Sequence, residues 1–158
     1  IALTYDLGLD DTIDRHALAQ VRPHALVAAT HPCADQGTVA LRDVANDPLI
    51  LTKQDLSWQH ILDLFRMNNI EPRIGTQAVS FELQRSFVAN GLGVAICYAR
   101  PRALTSYDGK TLCALEISDH LPVQQILMAH SNSNPPTAAT RRVMQLIAKS
   151  FAPIGVAG

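Results

Sequence analysis

Ser57, His60 and Asp63 fall on successive turns of one amphipathic segment and superficially spell a hydrolytic triad. A nucleophile needs an aligned base. On one helix, however, His60 looks along the axis rather than presenting its ring to Ser57, and Ser57 suits a helix cap better. No G-x-S-x-G elbow occurs. Gly91 and Gly93 precede a strand rather than a helix, so they form neither a dinucleotide fingerprint nor a P-loop. Asp6, Asp10, Asp11 and Asp14 lack the alternating ligand spacing and closing Glu of a calcium loop and read as a solvated loop. His31 and Cys33 make an H-x-C pair with no second pair at zinc spacing. His16, His24, His120 and His130 are dispersed, and no carboxylate pair recommends itself for acid–base work. The chain therefore implies no metal and no cofactor, and argues against an enzyme.

A binding chemistry is better supported, in the stretch from Thr76 to Tyr98 (TQAVSFELQRSFVANGLGVAICY). Ser80 can N-cap a helix whose first N–H groups point at open space. Leu83, Phe87 and Val88 give that helix a buried side, and Asn90-Gly91 stops it through the left-handed conformation that glycine tolerates. Leu92 to Tyr98 then runs apolar and uncharged, as a strand buried on both faces does. A strand leading to a capped helix N-terminus can hold a small anion or polar ligand.

The elements that position this stretch follow an α/β alternation. Strands are expected at Ile1–Tyr5, Pro23–Thr30, Pro48–Thr52, Arg73–Gln77, Thr111–Ile117 and Val123–His130. Helices are expected from Asp14 as cap through Gln20, near Leu41–Asn46, and over Ser57–Asn69, where Trp58, Ile61, Leu62 and Phe65 share a face. A last helix follows the Thr137 cap, with Ala139, Val143, Leu146, Ile147 and Phe151 on one side up to Pro153. The chain has 158 residues, 47% of them hydrophobic and 17% charged, which suits one domain or two small lobes of one folding unit. A net charge of −1 offers no electrostatic attraction for nucleic acid, and the apolar runs are strand-sized, too short for a membrane span. The cysteines, Cys33, Cys97 and Cys113, are odd in number and far apart, which favours a reducing cytoplasm over a disulfide framework. The opening IALTYD reads as the inside of a strand, so residues before Ile1 are expected.

In this order the motifs resemble a known family. The run ALVAATHPCADQGTVALRDVANDPLIL resembles the "strand, H-P-L-A, then L-x-D-L-x-x-x-P-L-I" passage of LysR-type transcriptional regulators, with Cys33 where Leu is usual. SFELQRSFVANGLGVAI is similar to that family's segment ending in V-x-x-G-L-G-I-A. VQQILMAH followed by NPPTAATRRVMQLIAKSF is similar to its closing strand and C-terminal helix, so the likeness covers Ile1 to Pro153.

The resemblance implies an effector-binding domain with the type 2 periplasmic-binding-protein-like α/β fold, two lobes joined by two crossover strands, the first lobe incomplete here. Residues 1–22 would be a remnant of the first lobe, 23–122 the second lobe, and 123–158 the return to the first with the C-terminal helix. It implies a small-molecule effector, a carboxylate or an aromatic, in the interlobe cleft. It also implies homo-oligomers through effector domains, DNA contact only through a helix-turn-helix outside this chain, no membrane, and a cytoplasmic location. The implied effector residues are Thr4, Tyr5, Gln77, Val79, Ser80 and Phe81: Ser80 for a carboxylate, Thr4 as a polar contact, Phe81 as an apolar wall. A solute-binding protein of a transport system shares the lobed fold and is the competing reading.

Overall fold

The structure, a computed structural model, describes residues 1–53 and 55–151. The chain divides into two compact units, one made of Ile1–Val21 with the chain from Val123, the other of Arg22–Pro122.

The first unit is built on β1 (Ala2–Tyr5), β2 (Ile13–Val21) and a late strand from Gln124 to Ser131, which lies between them and pairs antiparallel with both. Its middle residues Leu127, Met128 and Ala129 are buried. The helix expected from Asp14 to Gln20 is not formed; those residues are β2. An apolar run such as QQILMAHS leaves a row of peptide groups open on each edge. Pairing Ile13 with Ser131 through to Val21 with Gln124, with one bulge between Ala17 and Ala19, satisfies the second row. That tertiary demand outweighs the weak helical pattern of the segment. The final helix, Ala138–Phe151, has the expected periodic face, yet none of its residues is buried, and Val143 and Leu146 are 46% and 57% exposed. Thr137 caps it, accepting from the Thr140 amide at 3.1 Å. Pro153, expected as its stop, lies outside the described residues.

The second unit contains β3 (His24–Ala28), β4 (Thr38–Val39), α1 (Leu41–Val44), β5 (Leu49–Thr52), α2 (Asp55–Met67), β6 (Ile74–Ala78), α3 (Phe81–Ala89), β7 (Ala95–Cys97) and β8 (Leu112–Ile117). The late strand and last helix of the first unit are thus β9 and α4. One sheet runs β4-β8-β3-β7, and β5 and β6 form a parallel pair. Residues flanking β7 join the two. Val94 donates its N–H to Pro48 O at 2.9 Å, and Ile50 donates to Val94 O at 2.8 Å. The β-rich Leu92–Tyr98 run is a regular strand only over Ala95–Cys97, because Gly93 makes this close approach in a left-handed conformation, φ +152°.

Helix α2 begins at Asp55, so Ser57 lies inside it and is not its cap. Ile61, Leu64 and Phe65 form its buried side; full burial of a side chain such as Phe65 contributes about 1.5–3 kcal/mol. Both α2 and α3 end in the same way. Asn69 at φ +55° and Gly91 at φ +75° take the left-handed position after each helix. The residue beyond reaches back to close the last turn, Ile70 N–H to Phe65 O at 3.0 Å and Leu92 N–H to Phe87 O at 3.1 Å. Helix α3 lays Val88 and Ala89, with Leu83 and Phe87, on Leu26, Ile50, Ala78, Ala95 and Leu112.

His24 opens β3 between Cys97 and Glu116, 4% exposed, with Nε2 buried and unpartnered among the described residues. Burial, aided by the Arg100 charge, lowers its pKa from 6.5 to about 4. The folded value lies below the unfolded one, so the neutral ring supports folding above pH 6.5, and that support is lost as pH falls towards 4. At about 1.4 kcal/mol per pH unit the loss reaches about 3 kcal/mol. A urea-unfolding series from pH 7 to 4 is expected to show this decline, with a shallower slope in His24→Leu. A second expectation comes from the sheet junction. A Cβ on Gly93 would stand 2.0 Å from Pro48 O, whereas one on Gly91 meets nothing within 4 Å. Gly93→Ala should cost about 3 kcal/mol or more and Gly91→Ala about 1 kcal/mol, read from shifted unfolding midpoints at unchanged m-value.

Candidate functional site

Four of the residues singled out in the sequence stand together where β6 runs into α3. Ser80 takes extended angles, φ −150° and ψ 161°, and its side chain accepts the Leu83 N–H at 3.2 Å, which makes it the N-cap. The Gln84 N–H goes to Ser80 O at 3.0 Å. The amides of Phe81 and Glu82, at the positive end of the helix dipole, have no acceptor among the described residues. Val79 and Phe81 flank the cap with 78% and 46% of their surface exposed. Gln77 is exposed one strand position before Ala78.

The body of α3 is anchored firmly behind this tip. Gln84, 3% exposed, donates to Ile50 O at 2.7 Å and accepts from Cys97 Sγ at 3.6 Å. Burial pushes the Cys97 thiol up to about 12, so this cysteine is an inert core group. Arg85 ties Glu82, at 3.2 Å, to the carbonyls of Ala103 and Thr105. Two residues that sequence reasoning left out end the neighbouring strand. Thr52 is paired with Ala78, and the Lys53 N–H reaches Ala78 O at 2.8 Å. The signal that finds them is the parallel β5-α2-β6 unit, since ligands gather at the carboxyl ends of such strands.

In the first unit, Thr4 and Tyr5 close β1 opposite Leu127 and Ile126, both half-buried, with the Thr4 hydroxyl donating to Tyr5 O at 3.2 Å.

The sequence constellations set aside for catalysis have structural partners instead. His60 Nε2 lies 2.9 Å from the Tyr98 hydroxyl, which donates to Pro122 O at 3.2 Å, so His60 carries its proton on Nε2. Asp63 pairs with Arg66 at 2.9 Å. His31 accepts the Cys33 N–H on Nδ1 and meets Asp47 with Nε2, each at 3.1 Å. Asp10 receives the amide and hydroxyl of Thr12, bonds that hold its carboxyl below the usual range. A surface depression lined by Leu62, Arg66, Asn69, Ile70 and Ile74 shares no residue with the α3 tip.

The LysR substrate binding domain family matches residues 1–152. The chain belongs to that family. It has the type 2 periplasmic-binding-protein-like fold of LysR effector-binding domains. HinK, a LysR family transcriptional regulator from Pseudomonas aeruginosa, superposes with a TM-score of 0.89 at 27% identity, over 97% of this chain and 53% of that one. The C-terminal domain of a LysR family regulator from Rhodococcus sp. RHA1 gives 0.86 at 27% identity, over 92% and 72%. The BenM effector-binding domain with its effector benzoate gives 0.72 at 22% identity, over 93% and 67%, a likeness of fold alone. This chain spans about half the length of the regulator from Pseudomonas that it matches. No curated protein matches it in sequence. As a LysR effector-binding domain it is of a kind that generally senses rather than catalyses, and no helix among its described residues is long and apolar enough to cross a membrane.

Proposed function

We propose that this chain senses a small carboxylate or aromatic metabolite for a LysR-type transcriptional regulator. The two units act as its lobes, and the effector sits in the cleft between them, touching Thr4 and Tyr5 from one side and Gln77, Val79, Ser80 and Phe81 from the other. The observation that carries this reading is the α3 tip in a chain of this family: a capped helix end with the Phe81 and Glu82 amides open, flanked by exposed Val79 and Phe81. A carboxylate accepts from those amides and is favoured by the dipole, while the flanking side chains cover an apolar body.

The signal is a population shift. An effector that binds one arrangement of the units more tightly favours it by that difference in affinity. In the cytoplasm the shift passes through paired copies of this domain to helix-turn-helix heads outside this chain and alters their DNA contacts. The chain performs no catalysis. The competing solute-binding reading shares the fold, and membership of the regulator family counts against it. The residues upstream of Ile1 separate the two: a helix-turn-helix in one case, a secretion signal or lipidation cysteine in the other.

A thermal-shift screen of the complete protein against small carboxylates, amino acids and aromatics is expected to give a saturable rise in Tm. A ligand at a hundred times its Kd adds about 2.7 kcal/mol of stability. Ser80→Ala should weaken a carboxylate hit about tenfold, with about 1 kcal/mol lost from the helix cap. Ser80→Asp keeps the cap but should abolish carboxylate binding by like-charge repulsion. Unchanged affinity in both variants would refute the site.

A further inference from the structure

We infer that the Tyr98 hydroxyl, steadied by His60 of α2, is a latch on the peptide bond that carries the chain out of the second unit and back into the first. This conformational device lies beyond the sensing role proposed above and does not depend on it.

Two stretches connect the units. Arg22 and Pro23 alone separate β2 from β3, and residues 118–123 separate β8 from β9. The second stretch is fastened along its length. Ser118 donates its N–H to Val39 O at 3.0 Å, Asp119 accepts the Leu41 N–H at 2.6 Å, and Leu121 is buried. Pro122 closes the second unit and Val123 opens the return to the first. A proline has no N–H, and its ring fixes φ, so the carbonyl is the one backbone polar group that Pro122 offers. The Tyr98 hydroxyl donates to that carbonyl at 3.2 Å. The carbonyl shares a rigid plane with the Val123 N–H, because a peptide bond does not twist. Holding the oxygen therefore holds the crossing peptide. The ψ angle of Pro122 cannot turn far without breaking the bond, which leaves φ of Val123 as the soft torsion at the crossing.

Tyr98 stands where both connections meet the second unit. It follows β7 directly, and the last residue of β7, Cys97, lies opposite His24, where the chain enters β3 from the other connection. Tyr98 is 8% exposed, and its ring centroid is 5.4 Å from that of His60. With its proton committed to Pro122, the hydroxyl accepts from His60 Nε2 at 2.9 Å. Hydrogen bonds linked in this way strengthen one another away from water. His60 precedes Ile61, which with Leu64 and Phe65 forms the buried side of α2. A shift of α2 moves the imidazole, and a turn of the crossing peptide moves the phenol. Each end acts on the other through two hydrogen bonds.

Hydrogen exchange on the complete protein, read by mass spectrometry, tests the latch. Tyr98→Phe keeps the ring and removes only the oxygen. It is expected to raise exchange about fivefold in peptides covering 118–126 and 55–67, the effect of one lost hydrogen bond, while β3 and β8 stay protected. His60→Leu should raise exchange at 118–126 as well, although His60 does not touch that stretch, and His60→Gln, which restores an N–H donor, should recover it. Coupled groups do not add, so Tyr98→Phe combined with His60→Leu should show no further rise. Leu64→Ala, a core change elsewhere in α2, supplies the contrast: its effect should spread over the second unit. Exchange at 118–126 unmoved by Tyr98→Phe overturns the inference. So does a rise in that variant spread evenly over the second unit, and so does a His60→Leu variant that leaves 118–126 unchanged.

Discussion

Two backbone hydrogen bonds, Val94 N–H to Pro48 O and Ile50 N–H to Val94 O, hold the second unit together. They join the parallel pair β5-β6 to the sheet β4-β8-β3-β7, and only then does α3 have a continuous floor of Leu26, Ile50, Ala78 and Ala95 to pack on. The approach is so close that Gly93 is the one residue type that fits beside Pro48. Each bond is worth about 1 kcal/mol on balance. Their larger effect is geometric, because they set where β5 ends relative to the tip of α3. Behind that tip the Gln84 side chain, donating to Ile50 O, fixes the body of α3 to β5.

The order of elements in the second unit was legible because its signals are local. Ser80 and Gly91 bracket α3 through capping chemistry that needs no tertiary partner, and short apolar runs between turn residues give β3, β5 and β8. The misreadings fall where a distant partner decides. Asp14 to Gln20 carries a plausible cap and no strong period, and only the demand of β9 for a second neighbour makes it a strand. Ser57 looked like a cap because the apolar face starts at Trp58, but the helix begins two residues before it, at Asp55. Gly93 shortens β7 through a contact with Pro48, a residue 45 positions earlier in the chain. Thr52 and Lys53 escaped notice for a related reason: nothing in PLILTK marks a strand end as special until the fold sets it beside another element's cap.

The histidines and aspartates show how far residue type alone can mislead. Six histidines and a cluster of aspartates suggest chemistry, yet the best defined of them serve as fasteners. His60 links α2 through Tyr98 to the Pro122 carbonyl, His31 braces the turn at Cys33, and Asp10 organises Thr12. His130 lies 3.8 Å from Asp14 across the β2-β9 pair and 5.7 Å from His16, ring to ring. Polar groups committed in this way are spent on local geometry.

The first unit is discontinuous: β1 and β2 touch each other nowhere in the sheet, because β9 lies between them. The Asn132 side chain even reaches back to Asp11 O at 2.9 Å, across a sequence separation of 121 residues. During synthesis the second unit, contiguous from Arg22 to Pro122, has all its strands in hand before β9 exists. Until β9 emerges, β1 and β2 wait without their shared partner, at a loop-closure cost that grows only logarithmically with the intervening length. Assembly of this protein is therefore ordered by its topology, and the strand ending in Thr4 and Tyr5 is among the last parts to take its final form.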